Sequence, residues 1–199
     1  MRSLHMFIVE LDKPINDTIS TASGMELYID TRFEGGEFAY RVTDGPVLAT
    51  PAKYKTDVEV GDTLYFHHLV VMQEGQKLTG NDKSYFVNYS PDSAVNNQAI
   101  AYKNKDGKIT PLAGWSLLLP VEEEEDDSGV IEVVTLKESL PTKGVVAFES
   151  EELKDLGLKV GDVVGFKENR DYRIKIDGKE YYRTRIIDLM YVEEEVHND

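Results

Sequence analysis

The nine residues Val58-Glu59-Val60-Gly61-Asp62-Thr63-Leu64-Tyr65-Phe66 return 100 positions later as Leu158-Lys159-Val160-Gly161-Asp162-Val163-Val164-Gly165-Phe166. Three further pieces repeat in the same order. Ser23-Gly24-Met25-Glu26-Leu27 precedes the first copy as Ser128-Gly129-Val130-Ile131-Glu132-Val133 precedes the second. Gly45-Pro46-Val47-Leu48-Ala49 is matched by Gly144-Val145-Val146-Ala147, and residues 4–9 by residues 112–121. Four matches in one order make this chain two copies of one small unit. The copies are read as domains of residues 1–111 and 112–199.

Each copy reads as β. Apolar residues come in short runs, such as Met6-Phe7-Ile8-Val9, Ser84-Tyr85-Phe86-Val87-Asn88-Tyr89 and Gly144-Val145-Val146-Ala147-Phe148. Gly and Pro punctuate them, and no window sustains a 3.6-residue apolar period. Asp177-Gly178 joins two such runs and supplies the positive φ that a type I′ hairpin turn needs. Asp106-Gly107 reads as a second hairpin tip. The one helical candidate is a single turn, Ser150-Glu151-Glu152-Leu153-Lys154, with Ser150 as its N-cap. In the repeated Val-Gly-Asp element, Gly supplies a turn conformation closed to other residues and Asp bonds back to its own backbone. The alternation that follows points Leu64 and Phe66, or Val164 and Phe166, inward. The expected fold is all-β: two tandem, partly open barrels.

Composition removes several function classes. With 22 basic and 37 acidic side chains the net charge is −15, so the chain repels phosphate backbones and nucleic acid is not expected as a partner. Six of the acids form one run at residues 122–127, which repels itself and stays solvated. There is no cysteine, hence no disulfide framework, thiolate zinc site or catalytic thiol. The longest apolar runs, such as Leu117-Leu118-Leu119, fall far short of the ~20 residues of a membrane span. The N-terminus carries no signal-like apolar stretch, and a cytoplasmic protein is expected. The adjacent His67 and His68, read as strand residues, point to opposite faces and cannot share a metal. No phosphate loop or nucleophile elbow occurs, and no pair of carboxylates is singled out as acid and base. The chain is therefore read as a non-enzyme with no catalytic residue, no metal and no cofactor.

The order of the repeated pieces resembles that of the chaperonin-10 family, the GroES-like co-chaperonins. That family runs from a first strand to a loop with Gly and an apolar tripeptide. A Gly-x-Val-x-Ala strand, a Val-Gly-Asp-x-Val-x-Phe strand, a hairpin and a closing apolar strand ending in acids follow. Lys143-Gly144-Val145-Val146-Ala147, residues 158–166 and Ile187-Asp188-Leu189-Met190-Tyr191-Val192-Glu193 match this order. The resemblance implies a homo-oligomeric ring that caps a chaperonin folding chamber and leaves ATP hydrolysis to the chaperonin. It also implies mobile loops that dock on the chaperonin apical domains. The contact residues would be Gly24, Met25 and Leu27 in the first loop and Gly129, Val130 and Ile131 in the second. The family tripeptide is apolar throughout, whereas Glu26 interrupts the first here and Glu132 the second. Met25 and Leu27 still share one face of an extended strand. Residues 12–36 and 122–129 are read as the loops themselves, since their polar, Gly-rich composition cannot bury itself.

Residues 50–57 and 149–157 are too short for the family's roof hairpin. That trimming resembles the divergent co-chaperonins of bacteriophages, whose site of action would be the host cytoplasm. The alternative reading is a bacteriophage virion or capsid-associated protein built from tandem β domains. In the resembled family each first strand pairs with the last strand of the neighbouring subunit. Residues 112–121 align with the start of one copy and the end of the other, so one strand is expected to serve both barrels. Residues 6–9 and 189–192 would then be open edges that pair head to tail between chains.

Overall fold

The computed structural model describes residues 2–30, 40–72, 76–92, 97–121 and 142–193. The chain divides into two compact units, Met1–Ala113 and Gly114–Asp199. Each contains its own antiparallel sheet.

The first unit is built from β1 (Met6–Glu10), the short pair β2 (Thr18–Ser20) and β3 (Glu26–Tyr28), β4 (Asp44–Ala49), β5 (Thr63–Phe66), β6 (Lys77–Leu78), β7 (Asn81–Asn88), β8 (Ala99–Lys103) and β9 (Ile109–Pro111). Seven of these form one sheet in the order β6-β7-β1-β4-β5-β8-β9, while β2 and β3, among the described residues, form a separate pair. Phe7 and Val9 of β1, Val47 of β4, Leu64 and Phe66 of β5, and Tyr85 and Val87 of β7 share one core. β5 and β7 are separated in the sheet by two strands, so the sheet must curl for their side chains to meet.

The second unit contains β10 (Trp115–Pro120), β11 (Lys143–Val146), the short helix α1 (Glu151–Asp155), β12 (Val163–Phe166), β13 (Arg173–Ile176), β14 (Lys179–Arg185) and β15 (Leu189–Val192). Its sheet order is β13-β14-β10-β11-β12-β15. Leu118, Val146, Leu153, Val164, Phe166 and Tyr182 form its core. The Phe166 and Tyr182 rings lie 5.9 Å apart although β12 and β14 are not neighbours, so this sheet curls too.

The repeat is one topology written twice. β1 lies between β4 and β7 as β10 lies between β11 and β14, and β5 and β12 follow in the same place. β8 and β15 both join with a register shift just before the phenylalanine, at Tyr65/Phe66 and at Gly165/Phe166. The turns agree atom by atom. Gly61 and Gly161 have φ of +93° and +97°. Their N–H groups donate to Val47 O and Val146 O, each at 2.9 Å. The carboxylates of Asp62 and Asp162 accept from Glu59 N at 2.8 Å and Lys159 N at 2.9 Å.

The local expectations are met where turn chemistry dictates them. Asp177 and Gly178 both have positive φ between β13 and β14. Gly107 has φ +83° between β8 and β9, where Asn104 Oδ1 accepts from Asp106 N and Lys108 N. Ser150 caps α1, its hydroxyl accepting from Leu153 N at 3.2 Å.

Two expectations are corrected. Residues 112–121 do not form one strand shared by two barrels. Ile109–Pro111 pairs with β8 in the first sheet, and Trp115–Pro120 pairs with β11 and β14 in the second. Gly114, with φ +81°, stands between them, where an ordinary strand residue does not sit. Nor is Met6–Glu10 an open edge, because it pairs with β4 on one side and β7 on the other. Its unbroken apolar run Phe7-Ile8-Val9 is buried on both faces, as suits a strand with neighbours on both sides. Among the described residues, Leu189–Val192 does lie at a sheet edge. Among the described residues, no helix is long and apolar enough to cross a membrane.

Candidate functional site

The part of the first loop within the described residues is a β-hairpin. Thr21 N donates to Met25 O at 2.8 Å, and Gly24 N donates to Thr21 O at 2.9 Å. Gly24 has φ +79°. Ala22-Ser23-Gly24 is thus a three-residue loop, a turn closed by a left-handed glycine. The Thr21 hydroxyl lies 3.1 Å from Met25 N and 2.9 Å from Ser23 Oγ, tying the tip together. At the foot, Ile29 N donates to Asp17 O, and Lys13 Nζ reaches Asp17 Oδ1 at 3.1 Å and Thr18 Oγ1 at 2.7 Å.

This closure fixes which side chains share a face. Ile19 stands opposite Leu27, with Thr18 opposite Tyr28 and Ser20 opposite Glu26. By alternation Ile19, Met25 and Leu27 lie on one face and Glu26 and Tyr28 on the other. All are exposed: Ile19 at 55 %, Met25 at 59 %, Leu27 at 49 % and Tyr28 at 81 %. An apolar group held out of the core contributes little to folding, so this exposed cluster is the candidate surface. The sequence reading had placed Met25 and Leu27 here but not Ile19. Counting back across a three-residue turn, from 27 over 22–24 to 19, is the signal that finds it.

The second candidate segment, Gly129, Val130 and Ile131, lies outside the described residues, as does the acidic run at 122–127. The histidine pair is corrected in its local structure. His67 and His68 are not strand residues; they follow β5 and open a 3-10 turn. His67 Nδ1 accepts from Leu69 N at 3.2 Å, and the two rings lie side by side, centroids 4.3 Å apart. Among the described residues, no group of three or more His, Asp or Glu side chains could hold a metal ion.

Arg183 on β14 is a buried cation. Loss of solvation is the main cause that brings its guanidinium down to about 10; Tyr172 opposes the fall and the neighbouring Arg185 adds to it. It lies 5.1 Å from the Tyr172 ring centroid and 5.9 Å from that of Trp115, with Arg185 at 4.6 Å from Trp115. These are cation–π contacts of a packed sheet face.

Curated proteins resemble the chain over nearly their whole length. The co-chaperonin GroES of Pseudothermotoga lettingae is 34% identical over 74 residues, which cover 37% of this chain and 83% of that protein. The chain belongs to the GroES co-chaperonin family. The GroES of Coprothermobacter proteolyticus is 37% identical over 93 residues, covering 43% of this chain and 94% of the relative. That of Legionella pneumophila is 32% identical over 92 residues, covering 43% and 96%. No family model matches the chain. One GroES therefore fits within less than half of this chain, which has two separate antiparallel sheets. The family is one of non-enzymatic chaperones, in keeping with a site made of exposed apolar side chains rather than reactive groups.

Proposed function

We propose that this chain is a co-chaperonin that caps the chamber of a chaperonin and docks on its apical domains through the β2–β3 hairpin. The observation that carries the reading is that hairpin: in a GroES-family chain, Met25 and Leu27 are held on one face, outside both cores. Gly24 gives the tip its turn. Gly129, Val130 and Ile131 are assigned the same part in the second repeat from their sequence. Binding buries apolar side chains in a groove, and the preformed register lowers the ordering entropy that docking must overcome. The chaperonin supplies ATP hydrolysis, and the co-chaperonin works in the same compartment, the cytoplasm.

The same reading makes the protein a ring. β15 offers an open edge flanked by exposed Met190, Tyr191 and Val192. Its equivalent in the first sheet, β8, is flanked by β9, which leads through Leu112, Ala113 and Gly114 into β10. Residues 2–5 lead into β1 in the same way. On β15 of one chain, residues 2–5 of the next take the place that β9 takes on β8. The contact is heterologous and closes into a ring when the rotation allows.

The capping assay is direct. Purified chaperonin is incubated with the protein, with and without ATP, and the complex is isolated by sedimentation. Nucleotide-dependent co-sedimentation is expected. Met25→Ser with Leu27→Ser should weaken it about a hundredfold or more, since burying each such side chain is worth about 1.5–3 kcal/mol. The melting temperature should hold. A variant pair that binds normally, or one that unfolds, overturns the assignment.

A further inference from the structure

Ile19 lies on the arm of the hairpin that carries none of the Gly-Met-Glu-Leu segment, yet it is directly opposite Leu27. Opposed side chains on one face of an antiparallel pair have Cβ atoms about 4.5–5.5 Å apart, close enough to be covered by one partner group. Met25 adjoins Leu27 along the same face, two residues nearer the tip. Glu26 interrupts the apolar segment and turns to the reverse face with Tyr28. The apolar surface therefore runs across the two arms and not along one.

We infer that Ile19 is a third chaperonin-contact residue, and that the docking element is the three-sided apolar face Ile19–Leu27–Met25 of the preformed hairpin. This rests on the co-chaperonin reading above and deepens it. The occupant is the apolar groove of the chaperonin apical domain, because Ile19 continues the surface already assigned to that groove and no chain break or charge separates it from Leu27. Its role there is specificity. A groove that accepts a single extended strand reads Met25 and Leu27 alone, whereas a groove wide enough for a strand pair also reads Ile19. Tyr28 provides the internal control. It is the most exposed apolar side chain of the hairpin at 81 %, but it faces the other way. If exposed hydrophobicity alone governed docking, Tyr28 would dominate.

Four full-length variants, Ile19→Ser, Leu27→Ser, Tyr28→Ser and the double Ile19→Ser/Leu27→Ser, separate the outcomes. Affinity for the chaperonin in ATP is measured by titration, with ring assembly followed by sedimentation velocity and folding by melting temperature. The expected result is a loss of about ten- to a hundredfold for Ile19→Ser and for Leu27→Ser. Tyr28→Ser should stay within about twofold. The double variant should lose less than the product of the singles, because the two side chains share one pocket. A normal Ile19→Ser beside a weakened Leu27→Ser overturns this inference and leaves the co-chaperonin reading standing. Normal binding by both overturns the co-chaperonin reading itself. An Ile19→Ser that binds weakly only because its ring has dissociated assigns the face to a second copy and overturns the inference. The variants should fold, since the hairpin lies outside both sheets.

Discussion

At the scale of single residues, the glycines separate fold from function. Gly144 sits where β11 crosses β10, and a Cβ there would lie 2.8 Å from Leu118 Cβ and 3.1 Å from Leu119 O. Its counterpart Gly45 is as confined, 2.6 Å from Leu11 Cδ2 and 2.8 Å from Glu10 O. Gly144→Ala and Gly45→Ala should each lower stability by about 1–3 kcal/mol, because a methyl group must displace backbone or a packed side chain. Gly24 is different: a Cβ there meets nothing within 4 Å, and only its φ of +79° resists substitution. Gly24→Ala strains a hairpin that neither core uses, by about 1–2 kcal/mol. It should weaken chaperonin binding while the urea midpoint stays in place. Urea titrations of the three variants, beside the capping assay, check this. The confinement of Gly45 and Gly144 was not legible in the sequence, where both read only as members of a repeated Gly-x-Val motif.

The clearest test at the scale of elements is α1. Its five residues are too few to hold helical structure unaided. The cap and the packing of Leu153 hold it instead. Ser150→Ala should cost about 1 kcal/mol by removing the bond to Leu153 N. Leu153→Ala should cost about 2–5 kcal/mol, because that side chain is buried in the second core. Equal losses in denaturant titrations would contradict this division. The helix was legible from Ser150 and the acidic residues after it, since capping is local chemistry. The β13–β14 hairpin was legible for the same reason, from Asp177-Gly178. The β2–β3 hairpin was harder to see. Its loop residues Ala22-Ser23-Gly24 carry one weak signal, and its arms are only three residues each. The polar composition of that region suggested a loop without showing which of its residues stand opposite one another.

For the whole molecule, the proposed ring contact at β15 can be tested by crosslinking, because the chain has no native cysteine. Tyr191→Cys together with Ser3→Cys, scanned over residues 2–4, should give intermolecular disulfides in one register and link chains into a closed ladder of oligomers. Pairing with Val9→Cys should give none, because β1 already has a strand on each side. A monomer by sedimentation at micromolar concentration, without a crosslink in any register, would refute the ring.

What the sequence determined by itself is whatever depends on neighbours along the chain. The β class, the Gly-Asp turns at 61–62 and 161–162, the α1 cap and the I′ hairpin all follow from residues within a few positions of one another, and the duplication from such short pieces recurring in one order. The family resemblance follows from the order of those same short pieces. What only the tertiary structure decided depends on strands distant in the chain. It placed Met6–Glu10 between β4 and β7, split residues 109–120 into strands of two different sheets, and set Ile19 against Leu27. The physical reason is that register and strand order arise from side chains meeting across a sheet. A period of two says which residues share a face, but not which strand will lie beside them.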